Sequence, residues 1–73
     1  PYNIKRDLVD VQGGIAYLAL VRGGTETFEP ERVAKWVSIA KLNGYADKDG
    51  NINPTELLAF LMDYEAKIKA MGK

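Results

Sequence analysis

Residues 54–71 read PTELLAFLMDYEAKIKAM, and this stretch decides the fold. Leu57, Leu61, Tyr64, Ile68 and Met71 step along it by four, three, four and three residues. That rhythm places them on one face of an α-helix, which turns once in about 3.6 residues. Leu58 and Phe60 broaden the face. The start of the helix is marked just as clearly. Asn53 stands at the N-cap, Pro54 takes the first helical position, and Glu56 is placed to reach back as in a capping box. Ile52 then staples onto Leu57 from outside the helix.

The same signal occurs 24 residues upstream, where residues 27–37 match residues 51–61. Both carry an apolar residue, a polar residue, a proline and then a fresh apolar stripe. Phe28 staples onto Val33, and Val33, Trp36, Val37 and Ala40 form the inner stripe of a second helix, widened by Ile39 and Leu42. The repeat is explained by helix initiation recurring, or by a duplicated loop-helix unit. Further upstream, Ile4, Leu8, Val11, Ile15 and Leu18 again step by four and three. Gly13-Gly14 is the weak point of that first helix, each glycine costing roughly 1 kcal/mol against alanine. The pair bends or splits the helix, or allows close packing. Gly23-Gly24 ends it. The sequence therefore predicts an all-α domain over residues 1–73 in an up-down-up arrangement. Its helices lie near 3–21, 30–43 and 54–71, with Gly72-Lys73 frayed.

Between the second and third helices, residues 47–56 read DKDGNINPTE. This spacing resembles the EF-hand calcium loop, and the run Asp49-Gly50-Asn51-Ile52-Asn53 looks like the loop-helix units of dockerins. With Gly50 on the family's turn glycine, the resemblance makes Asp47 and Asp49 side-chain ligands. Asn51 becomes a carbonyl ligand, Asn53 a water-mediated one, and Glu56 the bidentate closing acid. Calcium suits such a set because it accepts about six to eight oxygens in a flexible shell. Tyr45 stands where the opening acid belongs. In a loop longer by two residues, Asn43 or a main-chain carbonyl near Gly44 becomes the first ligand instead. Three carboxylates and an amide imply weak binding, with a Kd on the order of 10⁻⁴–10⁻³ M. The first half of the chain departs from the family pattern. Val21, Gly23 and Thr25 stand where acids should be, and Arg32 replaces the closing glutamate. The same DKDGN composition also suits a metal-free helix-helix turn, since Asp and Asn bond their own backbone and Gly supplies a positive φ.

Composition removes several functions. The chain has 73 residues, no cysteine and no histidine, so it lacks a thiolate or imidazole metal site and the usual general base. Ser38 is the only serine, so no nucleophile-base pair exists and no enzyme is expected. Asp7 and Asp10 read as a solvated pair one turn apart, and Trp36 reads as core. Ten basic residues balance ten acidic ones without a basic run, which argues against a nucleic-acid partner. Lys67, Lys69 and Lys73 read as a solvated helix end. The apolar run 15–21 is far shorter than the roughly 20 residues that span a bilayer. No signal-peptide pattern is visible, and the compartment stays open. Two readings follow. One is a small calcium-binding helical module with a structural or regulatory role. The other is a metal-free module that binds a protein partner or itself through surplus apolar residues, here Ile39, Leu42, Leu58, Phe60 and Met62.

Overall fold

The computed structural model describes residues 3–72. It is all-α, with α1 over Ile4–Arg22, α2 over Ala34–Leu42 and α3 over Pro54–Met71. Asn3 caps α1 by accepting the Arg6 N–H at 3.0 Å, and Asn53 caps α3 by accepting the Glu56 N–H at 2.8 Å. The 24-residue repeat diverges at this step. Glu29 supplies no side-chain cap, and its carboxylate instead lies 3.4 Å from the Arg32 guanidinium. The second segment accordingly opens with a 3₁₀ turn over Pro30–Val33 before α2 begins.

Gly13-Gly14 neither splits nor ends α1, which runs unbroken through both. Gly14 is buried, and a Cβ there would stand 3.0 Å from Leu61 Cδ1 and 3.6 Å from Trp36 Cδ1. The missing side chain lets α3 and Trp36 approach the α1 backbone. Beyond α1, the Thr25 N–H donates to Leu20 O and the Gly24 N–H to Val21 O, so the last carbonyls are satisfied. Tyr17 then holds the following loop. Its hydroxyl donates to Thr27 O and accepts the Glu29 N–H, both at 2.7 Å.

The expected up-down-up order is corrected in one respect. It would make the first and third helices parallel, but α1 and α3 run antiparallel. Ile4 lies beside Gly72, Asp7 bonds Tyr64, and Gly14 faces Leu61. Val11, Leu18, Leu57, Leu61 and Ile68 are fully buried along this seam. α2 covers α3 through Trp36 and Ala40. α3 thus has neighbours on two sides, so Leu58 and Phe60 are core and not surplus. Trp36, Tyr64, Phe60 and Tyr45 form a series of edge-on rings with centroids 5.3, 5.7 and 5.2 Å apart. No helix among the described residues is long and apolar enough to cross a membrane. Lys73, and with it the last part of the expected fraying, lies outside the described residues.

Candidate functional site

The turn between α2 and α3 begins with a helix stop. Gly44 has φ +83°, which favours glycine. The Gly44 N–H donates to Lys41 O and the Tyr45 N–H to Ala40 O, at 3.2 and 3.0 Å. The Asn43 amide nitrogen donates to Ile39 O at 2.7 Å. Asn43, the alternative first ligand, is therefore engaged by the end of α2. Tyr45 turns away from the loop. Its ring packs edge-on against Phe60, and its hydroxyl donates to Asp63 Oδ2 at 2.8 Å. That hydrogen bond and the neighbouring carboxylate charge push the Tyr45 phenol above its ordinary pKa.

The middle of the turn closes on Asp47. Asp47 Oδ1 accepts the N–H groups of Asp49 and Asn51, each at 2.9 Å. The Asp47 N–H donates to Asn51 O at 2.8 Å, and the Gly50 N–H donates to Asp47 O at 3.0 Å. Gly50, at φ +80°, makes the reversal that the sequence predicts. The Asn51 carbonyl, expected to face a cation, accepts this internal bond. Asp49 is exposed.

Asn53 and Glu56 bond each other across the start of α3. Asn53 Oδ1 accepts the Glu56 N–H, while the Asn53 amide nitrogen donates to Glu56 Oε1 at 3.1 Å. The expected capping box is altered here, because Glu56 reaches the Asn53 side chain rather than its main chain. Glu56 Oε2 is buried and has no hydrogen-bond partner. A carboxylate oxygen in that state carries a desolvation cost without compensation.

The predicted ligands thus share one turn without forming a cage. Among the described residues, no three acidic side chains gather in a way that could hold a metal ion. Asp47 serves the backbone, Asn43 serves α2, and Asn53 serves α3. The one observation in favour of a cation is the orphaned Glu56 oxygen.

Two features escape the sequence reading. Asp7 is buried. It accepts the Tyr64 hydroxyl at 2.8 Å and lies 3.7 Å from Lys35 Nζ, which also lies 3.9 Å from Asp10. The tie joins α1, α2 and α3 at one point. Its signal in the sequence is weak, because only the antiparallel packing brings Tyr64 to the first turn of α1. The second feature is a groove of about 470 Å³ between the end of α2 and the second half of α3. Ile39, Tyr45, Phe60 and Met71 line it, with Asp63 and Lys67 also along its wall. Leu42, next to it in α2, is 87% exposed, and Met71 is 61% exposed.

Comparison with known proteins adds no family to this geometry: no family model matches the chain, and no curated protein or solved structure matches it.

Proposed function

We propose that the chain is a small helical interaction module that binds another protein surface through α2 and α3. The carrying observation is the set of large apolar side chains left in solvent after the core is complete. On α2 and α3, Leu42 is 87% exposed, Met71 61% and Met62 57%, and on α1 Val9 and Leu20 are exposed as well, while the core is closed by Leu57, Leu61 and Ile68. Single exposed apolar residues are ordinary. Here Met71 lines a groove that already has apolar walls, and Leu42 directly precedes Asn43, another residue of its lining. On this reading Leu42, Met62 and Met71 serve binding and add little to folding. Replacing all three by serine is expected to leave unfolding free energy within about 1 kcal/mol of the parent, since exposed changes are usually small. A loss of several kcal/mol in a denaturant titration would assign these side chains to the fold and remove the basis of the reading.

Glu56 Oε2 favours a second reading, weak calcium binding by the α2–α3 turn. The cation would draw on Asp47, Asp49, the Asn51 carbonyl and Glu56, with Asn53 through water. Asp47 and Asn51 would have to give up or share their internal bonds, which accords with a Kd on the order of 10⁻⁴–10⁻³ M. A ligand held only by the folded state raises the melting temperature by mass action. Calcium at about 10 mM is expected to raise it, and Asp49→Ala to abolish the rise. Glu56→Gln keeps the bond from Asn53 and leaves apo stability within roughly 0.5 kcal/mol, but it also abolishes the response. An unchanged melting curve in calcium would rule this second reading out.

A further inference from the structure

We infer that Asn43 is a site of spontaneous deamidation, gated by opening of the α2 end, and that its product weakens that end. The inference is independent of what the groove or the turn binds. The chain has four asparagines, and the residue after each decides whether its side chain can be attacked, because the attacking atom is the next backbone nitrogen. Pro54 follows Asn53 and has no N–H to give up. Ile4 and Ile52 follow Asn3 and Asn51, and a β-branched side chain crowds the nitrogen. Gly44 follows Asn43. Both residues are exposed, and even a Cβ at Gly44 would meet nothing within 4 Å. The Gly44 nitrogen gives its proton to hydroxide and bonds to Asn43 Cγ. The Cγ–Nδ2 bond breaks, and ammonia leaves after taking a proton from water, which returns the hydroxide. Water then opens the succinimide at either carbonyl and leaves aspartate or isoaspartate at position 43.

The fold sets the gate. Ring closure needs the Gly44 nitrogen on the same side of the Asn43 Cα–C bond as Cβ. At ψ 13° it eclipses the nitrogen of Asn43 itself, so that bond must rotate. Rotation breaks the bonds from Gly44 N–H to Lys41 O at 3.2 Å and from Tyr45 N–H to Ala40 O at 3.0 Å. The first is at the long end for a backbone hydrogen bond, and Lys41, Asn43 and Gly44 are all exposed. Such a helix end opens at far lower cost than the whole fold. The product closes it less well. A carboxylate cannot donate to Ile39 O as the Asn43 amide does, and its charge meets the negative end of the α2 dipole. Asn43 also lines the α2–α3 groove, whose charged lining among the described residues is Asp63 and Lys67. A third charge there turns the lining from balanced to acidic.

Peptide mapping by mass spectrometry tests the inference on the whole chain, incubated in mildly alkaline buffer beside a free peptide of residues 41–46. The gain in mass from amide to acid is expected at Asn43 before any other asparagine. Isomerisation at Asp49-Gly50 leaves the mass unchanged and does not confuse the reading. The chain is expected to react about 10–100-fold more slowly than the peptide, because only the helix end must open. A chain as fast as the peptide has no closed helix end. One slowed by roughly 10⁴-fold or more reacts only through global unfolding. Either result, or earlier modification at Asn3, Asn51 or Asn53, overturns the inference. Asn43→Asp stands in for the aspartate product and is expected to melt below the parent. A melting temperature equal to or above that of the parent overturns the claim that the product weakens the α2 end.

Discussion

At the scale of single residues, the turn shows one set of side chains doing helix-end work that resembles ligand work. Asn43 finishes α2, Asp47 folds the turn on itself, and Asn53 starts α3. Tyr45 behaves differently, because its hydroxyl donates to Asp63 across the groove. Its pKa is raised, first by that hydrogen bond and then by desolvation and the Asp63 charge. A group whose folded pKa lies above its unfolded value stabilises fully below the unfolded pKa. That contribution is lost as pH rises through the folded one. The Tyr45–Asp63 bond therefore contributes at neutral pH and disappears only in the alkaline range where phenols ionise. Asp63→Asn is expected to bring Tyr45 ionisation down towards the ordinary tyrosine value. The ring carbon resonance of Tyr45, followed through an alkaline titration, reports this directly. Identical titrations in parent and variant would mean that the bond does not form in solution. The acid-rich run was legible in the sequence, as was the reversal at Gly50. Convergence of the acids was not legible, because a linear spacing fixes which residues share a turn but not where each carboxylate finds its hydrogen bonds. Asp47 finds them on its own backbone.

At the scale of elements, helix starts were legible where the cap residue could do the job. Asn3 and Asn53 cap α1 and α3 within a residue of the sequence expectation. The start of α2 was misread because Glu29 sits in the Asn53 position of the repeat without being a capping residue, and a 3₁₀ turn fills the gap. The adjacent glycines of α1 separate two effects that sequence alone merges. Gly13 is exposed and a Cβ there meets nothing within 4 Å, so Gly13→Ala is expected to stabilise by about 0.5–1 kcal/mol. At Gly14 the added Cβ would press on Leu61, which is fully buried and has little room to move. Gly14→Ala is expected to lose about 1–3 kcal/mol to overpacking, more than the helix gains. Parallel denaturant melts of the two variants check the opposite signs. Two stabilising variants would show that α1 and α3 do not pack this closely.

At the scale of the molecule, the three helices were legible from their apolar stripes, but their directions were not. The stripes state which face is inward and say nothing of which end meets which. The packing of α3 against both α1 and α2 accounts for residues misjudged in the sequence. Asp7 is buried because Tyr64 comes to it, and Phe60 is core because α2 and Tyr45 cover it. What the packing leaves uncovered includes Leu42, Met62 and Met71 on α2 and α3, and the central claim is that these side chains serve binding and not folding. Denaturant titration of the parent beside the Leu42→Ser/Met62→Ser/Met71→Ser variant tests it most directly. The unfolding free energy of the variant is expected to stay within about 1 kcal/mol of the parent, as for exposed side chains that serve binding. A loss of several kcal/mol would contradict the claim, because these side chains would then be part of the fold.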